Sequence, residues 1–172
     1  MPYIDQFDDL LRAQDNGQRI QNIRTMAVFT DGLVICAVGV DGVWLVSDLV
    51  LLRFGAFGGI LLTLIRPGQR AVRRRRQKAI RRRALRLGPD GSAAAFARTR
   101  RKALVIPFTD VTSIALTPAR GGKQLVVYTV SPGTGREQAY PYRSELAAGR
   151  AREVLGPLIG ARLTVAAEHQ DT

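Results

Sequence analysis

The feature of the sequence that most constrains its fold is an apolar segment followed directly by a strongly basic one. Residues 49–65 are apolar apart from a single charge, Arg53. Residues 66–102 carry fifteen basic side chains against Asp90 alone, a net charge of +14, whereas the whole chain carries +12. Such a charge asymmetry indicates an anionic partner, either a membrane surface or a nucleic acid.

The apolar segment predicts a helix. It is 17 residues long and has no turn signals, which favours helix over strand. Small side chains recur in it at four-residue spacing and form a flat face suited to close helix packing or self-association, at Gly55, Gly59 and Thr63. A bilayer-spanning helix needs about 20 apolar residues, so we expect interfacial or internal placement rather than a span.

The basic segment predicts a second helix, over residues 69–87, after a break at Pro67-Gly68. With the apolar helix it would form a hairpin from about residue 49 to residue 87. A narrow apolar stripe runs along this helix, at Val72, Ile80, Ala84 and Leu87. Its predicted end is Gly88-Pro89-Asp90-Gly91, and residues 93–101 would add one or two helical turns.

Strands are predicted on both sides of this insertion. With 172 residues, of which 46% are hydrophobic, the chain is long and apolar enough for a folded core. Asp31-Gly32 and Asp41-Gly42 are hairpin-turn signals. Apolar or alternating runs predict strands at 26–30, 33–38 and 43–46 before the insertion, and at 103–106, 111–116, 123–130 and 136–140 after it.

Helices are predicted at both ends of the chain. Apolar residues at helical spacing predict an amphipathic helix within residues 1–24, at Ile4, Phe7, Leu10 and Leu11. Three acidic residues would lie on its solvated face, at Asp5, Asp8 and Asp9. Ser144 is the predicted N-cap of a C-terminal helix that reaches about residue 155 and stops at Gly156-Pro157. Residues 162–165 are predicted to be extended.

This order of strands and helix resembles the pleckstrin-homology (PH) fold, a bent antiparallel sheet capped by a C-terminal helix. Ile106-Pro107-Phe108-Thr109-Asp110-Val111 is similar to the Ile-Pro-aromatic-x-Asp-Ile/Val segment of bacterial PH-like and GRAM-like domains. The resemblance implies an α+β, mainly β domain, formed by residues 25–48 and 102–166 and split by an inserted helical hairpin within 49–101.

The same resemblance implies a non-catalytic binding module, often attached to membranes. Lipid-binding members of the fold use basic residues in the first strand-to-strand loop to hold phosphorylated head groups. Here that loop is Asp31-Gly32, which is acidic and tight. A head-group pocket is therefore not expected at that position.

No catalytic or metal-binding constellation is evident. The one cysteine, Cys36, lies in an apolar run, and the one histidine, His169, lies far from it in sequence. A thiol nucleophile needs a base or a cationic setting, and metal sites need clustered ligands. We therefore expect no enzyme activity, no cofactor and no small-molecule substrate. The single cysteine and the absence of a secretory signal predict a cytoplasmic protein.

Three hypotheses account for the insertion. Membrane association at the inner face of the cytoplasmic membrane would use the cations Arg66, Arg70, Arg73, Arg74, Arg75, Arg76, Lys78, Arg81, Arg82, Arg83 and Arg86. The apolar helix would insert or pack through Leu52, Phe54, Gly55, Phe57, Gly59, Leu62 and Thr63. Sequence-independent nucleic-acid binding would use the same arginines, although no aromatic lies between Arg66 and Ala95 to stack on bases. A purely structural hairpin, or self-association through the glycine face, is the third.

Overall fold

The computed structural model describes residues 3–12, 21–41, 68, 70–88, 91–100, 102–119 and 122–166. Helix α1 spans residues 70–86, α2 spans Ala93–Arg98 and α3 spans Ala148–Ile159, followed by a 3-10 turn at Gly160–Arg162. The strands are β1 Tyr3–Arg12, β2 Gln21–Phe29, β3 Gly32–Asp41, β4 Leu104–Pro107, β5 Val111–Ala119, β6 Gly122–Val130, β7 Glu137–Ser144 and β8 Leu163–Val165.

All eight strands belong to one sheet in the order β4-β3-β2-β1-β7-β6-β5-β8. Strands β1–β4 form one antiparallel meander and β5–β7 a second. A short β1–β7 ladder, in which Leu11 pairs with Arg143 and Arg12 with Tyr142, joins the two. Strand β8 then pairs in parallel with β5. The predicted α+β, mainly β class with a C-terminal helix is confirmed, although β8 makes the sheet mixed rather than wholly antiparallel.

Two apolar clusters cover opposite faces of the first meander. In β2, Met26 and Val28 face an inner core that α3 closes with Val154 and Leu155. The residues of β2 that alternate with these face an outer cluster on the other side of the sheet. Alternate residues of β3 face the same cluster, and helices α1 and α2 cover it. Where both faces of the strands are buried, at residues 26–29 of β2 and 33–36 of β3, the sequence is continuously apolar rather than alternating.

The predicted N-terminal helix is wrong, because residues 3–12 form strand β1. Phe7 pairs with Met26 and Leu10 with Arg24, with a register shift between them, so two residues of β1 oppose one of β2. This is a β-bulge. The extra residue places Phe7 and Leu10 on the same face, in the inner core. The bulge therefore produces a three-residue spacing that resembles helical periodicity.

The C-terminal helix is confirmed, but both of its predicted ends are wrong. Ser144 is the last residue of β7, where its Oγ accepts a hydrogen bond from the Leu146 backbone at 3.0 Å. Helix α3 instead begins after Ala147, which makes no side-chain cap, and continues through Pro157. Pro157 has no N–H to donate, so one backbone hydrogen bond is lost near the last turn of the helix. Gly160, with φ of 56°, ends it.

The Asp31-Gly32 turn joins β2 to β3 as predicted, but for a different physical reason. Gly32 does not have a positive φ. It is needed because a Cβ there would lie 2.7 Å from the Ile106 carbonyl oxygen of β4. Asp31 also accepts hydrogen bonds from the backbone of Phe108 and from that of Ala93, at the start of α2. The turn is thus hydrogen-bonded both to the residue that follows β4 and to helix α2 of the insertion.

The Ile106–Val111 segment forms the corner between the two meanders. Arg162 donates hydrogen bonds to the carbonyl oxygens of Phe108 and Val111, at 3.0 and 2.7 Å. The strand predicted at 43–46 and the helix predicted at 49–65 lie outside the described residues. On the side of β3 away from β2, residues Gly32–Ile35 pair with β4.

Candidate functional site

The basic helix predicted from the sequence is confirmed as α1, and it lies on the outer face of the first meander. Ile80 is wholly buried and Ala84 almost so, in a cluster with Phe96 of α2 and the outward side chains of β1–β3. The helix ends at residue 86, and Gly88 follows with φ of 68°. A positive φ at this position is typical of a glycine that ends a helix. The described part of the insertion therefore folds back on the sheet.

The predicted apolar stripe of this helix is wrong at Val72, which is 49% exposed. Val72 lies eight positions before Ile80, which places it about 80° away from Ile80 around the helix axis. The face towards the sheet instead includes Gln77, which is buried, and Arg73, which is half-buried. The helix consequently docks through a mixed face of apolar and polar side chains.

Polar contacts from the β1 bulge hold the N-terminal half of α1. Asp9 has φ of 58°, a conformation that aspartate tolerates better than most residues. Its Oδ1 accepts a hydrogen bond from Gln77 Nε2 at 2.8 Å and lies 3.2 Å from Arg73 Nε, in an ion pair without hydrogen-bond alignment. Gln6 Nε2 donates to the Gln77 carbonyl oxygen at 3.3 Å. We call these contacts of Asp9 with Gln77 and Arg73 the latch. The sequence alone did not identify the latch, because the bulge that orients the Asp9 side chain depends on how β1 pairs with β2.

The opposite side of α1 carries a continuous row of exposed cations, here called the cationic ridge: Arg75, Lys78, Arg82 and Arg86. Their spacings of three and four residues place them on one face of the helix. The row extends over about 16 Å, at a rise of about 1.5 Å per residue. Within the part of the chain that the structure describes, none of the four has an ion pair.

The docking of α1 divides the predicted cations into separate roles. Arg73 pairs with Asp9, and Arg76 donates to the Val38 carbonyl oxygen at 3.1 Å, so these two contribute to docking. The ridge and the flanking, exposed cations Arg70, Arg74, Arg81 and Arg83 face solvent. The other predicted site residues lie outside the described residues, namely Arg66, Leu52, Phe54, Gly55, Phe57, Gly59, Leu62 and Thr63.

The described residues hold no cluster of three or more metal-ligating side chains. Cys36 is buried in the outer cluster, and burial raises the pKa of its thiol despite the nearby positive charge of Arg100. A raised thiol pKa lowers reactivity. Over the same described ranges, no helix has the length and apolarity that crossing a membrane requires.

Tyr3 makes stability sensitive to alkaline pH. Burial raises its pKa to about 12, Arg81 opposes this shift, and Asp5 and Asp8 add to it. An unfolded tyrosine titrates near 10. Between about pH 10 and pH 12 the unfolded chain releases a proton that the folded chain retains, so the free energy of unfolding falls as pH rises.

We therefore expect Tyr3→Phe to lose less stability than wild type between pH 7 and pH 11, as measured by urea unfolding. The other tyrosines are common to both proteins and cancel in the comparison. At pH 7 the substitution should be neutral or slightly stabilising, because the Tyr3 hydroxyl is buried without a hydrogen-bond partner among the described residues. An identical alkaline loss in both proteins would contradict this assignment.

Comparison of the chain with protein-family models, with curated proteins and with solved structures gives no match. The resemblance to PH-like domains accordingly stays a prediction.

Proposed function

We propose that the protein is a non-catalytic module that associates peripherally with anionic membrane surface, at the inner face of the cytoplasmic membrane, through the cationic ridge of α1. One observation carries this proposal. The latch at Asp9 and the buried Ile80 fix one face of α1 to the sheet, so that Arg75, Lys78, Arg82 and Arg86 share the opposite, exposed face.

The spacing of the ridge gives electrostatic support. Like charges three and four residues apart on a helix repel one another, so the ridge is self-repulsive in the absence of a counter-charge. An anionic surface adds an attraction to each of these cations that offsets their mutual repulsion. Each basic residue near such a surface contributes about 1 kcal/mol, so the four ridge cations together contribute about 4 kcal/mol.

The supporting sheet adds a second argument. A cationic segment that orders only on binding must offset the entropy of that ordering. Helix α1 already packs on β1–β3 through Ile80 and Ala84, so little further ordering is needed when it meets a surface. In the sequence, the apolar residues 49–65 come shortly before α1, and insertion of part of that segment would add apolar burial to the electrostatic attraction.

The body of the protein fits a binding module of the PH-like kind. The proposal is supported by two antiparallel meanders followed by a C-terminal helix that closes the inner core. The membrane-facing element would then be the inserted helix α1. The Asp31-Gly32 turn, which the sequence placed between the first two strands and which joins β2 to β3 instead, would not take part.

Nucleic acid is the competing ligand, because phosphates of any source attract arginine. Single-strand binding proteins combine such charges with aromatic side chains on which bases stack. Residues 70–86 contain no aromatic side chain. The exposed apolar residues of α1, Val72 at 49% and Leu85 at 55%, are better matched to a lipid interface than to a phosphate backbone.

Flotation of the purified protein with vesicles tests the proposal. We expect it to float with vesicles containing phosphatidylserine and not with phosphatidylcholine vesicles, and to dissociate progressively between about 0.1 M and 0.5 M salt because the charges are exposed. Duplex DNA is titrated at the same salt concentrations. Binding to DNA without binding to anionic vesicles would overturn the proposal in favour of a nucleic-acid partner.

A further inference from the structure

The cationic ridge contains a depression that suits a more specific ligand than a charged plane. It has a volume of about 370 Å³ and is open to solvent. It lies on the outer face of α1, which supplies all of its lining residues, so a ligand in it would stay accessible to a surface. The depression is lined by Arg75, Lys78, Ala79, Arg82, Arg83 and Arg86. Cations thus form its rim, and the small side chain of Ala79 leaves space between them.

The composition of this lining selects for phosphate. A guanidinium group presents paired N–H donors that match two oxygens of a phosphate at once, which an ammonium group cannot do. Four of the six lining residues are arginine, and none is acidic. A phosphomonoester carries a charge of about −1.5 to −2 and three acceptor oxygens. The phosphodiesters and carboxylates of common anionic head groups carry fewer charges on each group.

We infer that the depression around Ala79 is a binding site for dianionic or clustered phosphate groups. The inference rests on the proposed membrane function and specifies the head group that the ridge prefers. Phosphate of this kind could belong to a phosphomonoester lipid or to a soluble polyphosphate, and the chemistry of recognition is shared by the two. A defined site differs from diffuse surface charge because it depends on free space as well as on cations.

Filling that space without changing any charge tests the inference. Ala79→Leu places a larger side chain within the depression, whereas Ala71→Leu enlarges another exposed alanine of α1 that does not line it. Leucine is a good helix former at both positions. We expect Ala79→Leu to bind phosphatidic acid vesicles about tenfold more weakly than wild type, with Ala71→Leu unchanged. Thermal unfolding and circular dichroism check that both variants remain folded.

Two further ligands separate the site from the general attraction. Binding to phosphatidylserine vesicles of matched surface charge should be nearly equal in wild type and Ala79→Leu. Inorganic tripolyphosphate should bind wild type in calorimetry, with about tenfold weaker binding to Ala79→Leu. Equal affinities of the two proteins for both phosphatidic acid and tripolyphosphate would overturn the site and leave the membrane function standing.

The proposed function can also fail on its own. If wild type binds neither type of anionic vesicle yet binds tripolyphosphate in an Ala79-dependent manner, the membrane function is wrong and the phosphate site is supported, with a soluble ligand. Replacing three of the four arginines of the depression by lysine, in Arg75→Lys, Arg82→Lys and Arg86→Lys, gives an independent readout. The triple variant should lose its preference for phosphatidic acid over phosphatidylserine, and retention of that preference would count against bidentate recognition.

Discussion

Replacing Arg75, Lys78, Arg82 and Arg86 by glutamine is expected to weaken binding to anionic vesicles by about a thousandfold. Each of these cations contributes about 1 kcal/mol near an anionic surface, and about 1.4 kcal/mol corresponds to a factor of ten in affinity. The fold should not suffer, because all four side chains are exposed. The helix should gain slightly in stability, since the repulsion between like charges is removed. Flotation across a range of lipid concentrations measures the change.

The matched control removes four exposed cations outside α1, through Arg98→Gln, Lys102→Gln, Arg136→Gln and Arg152→Gln. Both quadruple variants have the same net charge. If the ridge binds the surface, the control should lose less than about tenfold in affinity, because its cations are spread over other elements and only some can lie near one plane. Equal losses in the two variants would mean that net charge, rather than the ridge, controls binding.

Phe96→Ala is expected to destabilise the protein by about 3–5 kcal/mol, the usual cost of deleting a buried phenylalanine. Phe96 is wholly buried in the outer cluster, and its ring centroid lies 5.4 Å from that of Phe29. Phe29 in turn contacts Tyr3 edge-on, with centroids 5.7 Å apart. The substitution leaves a cavity beneath the insertion and removes this aromatic contact. Urea unfolding followed by circular dichroism measures the loss.

The corresponding control lies on α1 itself. Leu85 is 55% exposed, so Leu85→Ala deletes a large apolar side chain without leaving a cavity. We expect it to change the free energy of unfolding by no more than about 0.5 kcal/mol, as for most surface substitutions. A loss as large as that of Phe96→Ala would show that the outward face of α1 is buried in solution, and the assignment of the ridge to solvent would be wrong.

Local signals in the sequence predicted most of the regular structure. Runs bounded by turn residues located six of the eight strands in the described ranges, because strand propensity and turn chemistry act over a few residues. The basic helix and its end at Gly88 were predicted for the same reason. The extended segment at 162–165 was also predicted and is confirmed as β8, although its parallel pairing with β5 depends on contacts that are distant in sequence.

The two main errors have different causes. Strand β1 was predicted as a helix because a bulge opposite β2 places Phe7 and Leu10 on one face. Val72 was assigned to the buried stripe of α1, although it lies about 80° from Ile80 around the helix, and Arg73 and Gln77 face the sheet instead. The strand that opposes β1 is a separate segment, which periodicity within residues 3–12 cannot reveal. The position of Val72, in contrast, follows from the helical period of α1 itself.

The candidate site was predicted in outline and not in detail. Charge counting identified the basic segment but treated its eleven cations as equivalent. Docking on the sheet distinguishes them, since Arg73 and Arg76 bind Asp9 and the Val38 carbonyl while the ridge faces solvent. The space around Ala79 was not predicted, because a depression depends on the geometry of its neighbours rather than on residue type.

Hydrogen–deuterium exchange of the unmodified protein on vesicles tests most directly whether the ridge binds the membrane. Peptides from residues 70–86 should exchange more slowly when phosphatidylserine vesicles are added and should be unchanged by phosphatidylcholine vesicles. Peptides from α3 and from the turn between β6 and β7 should exchange alike in both. Slower exchange confined to α3 or to that turn, with α1 unaffected, would contradict the proposed role of the ridge.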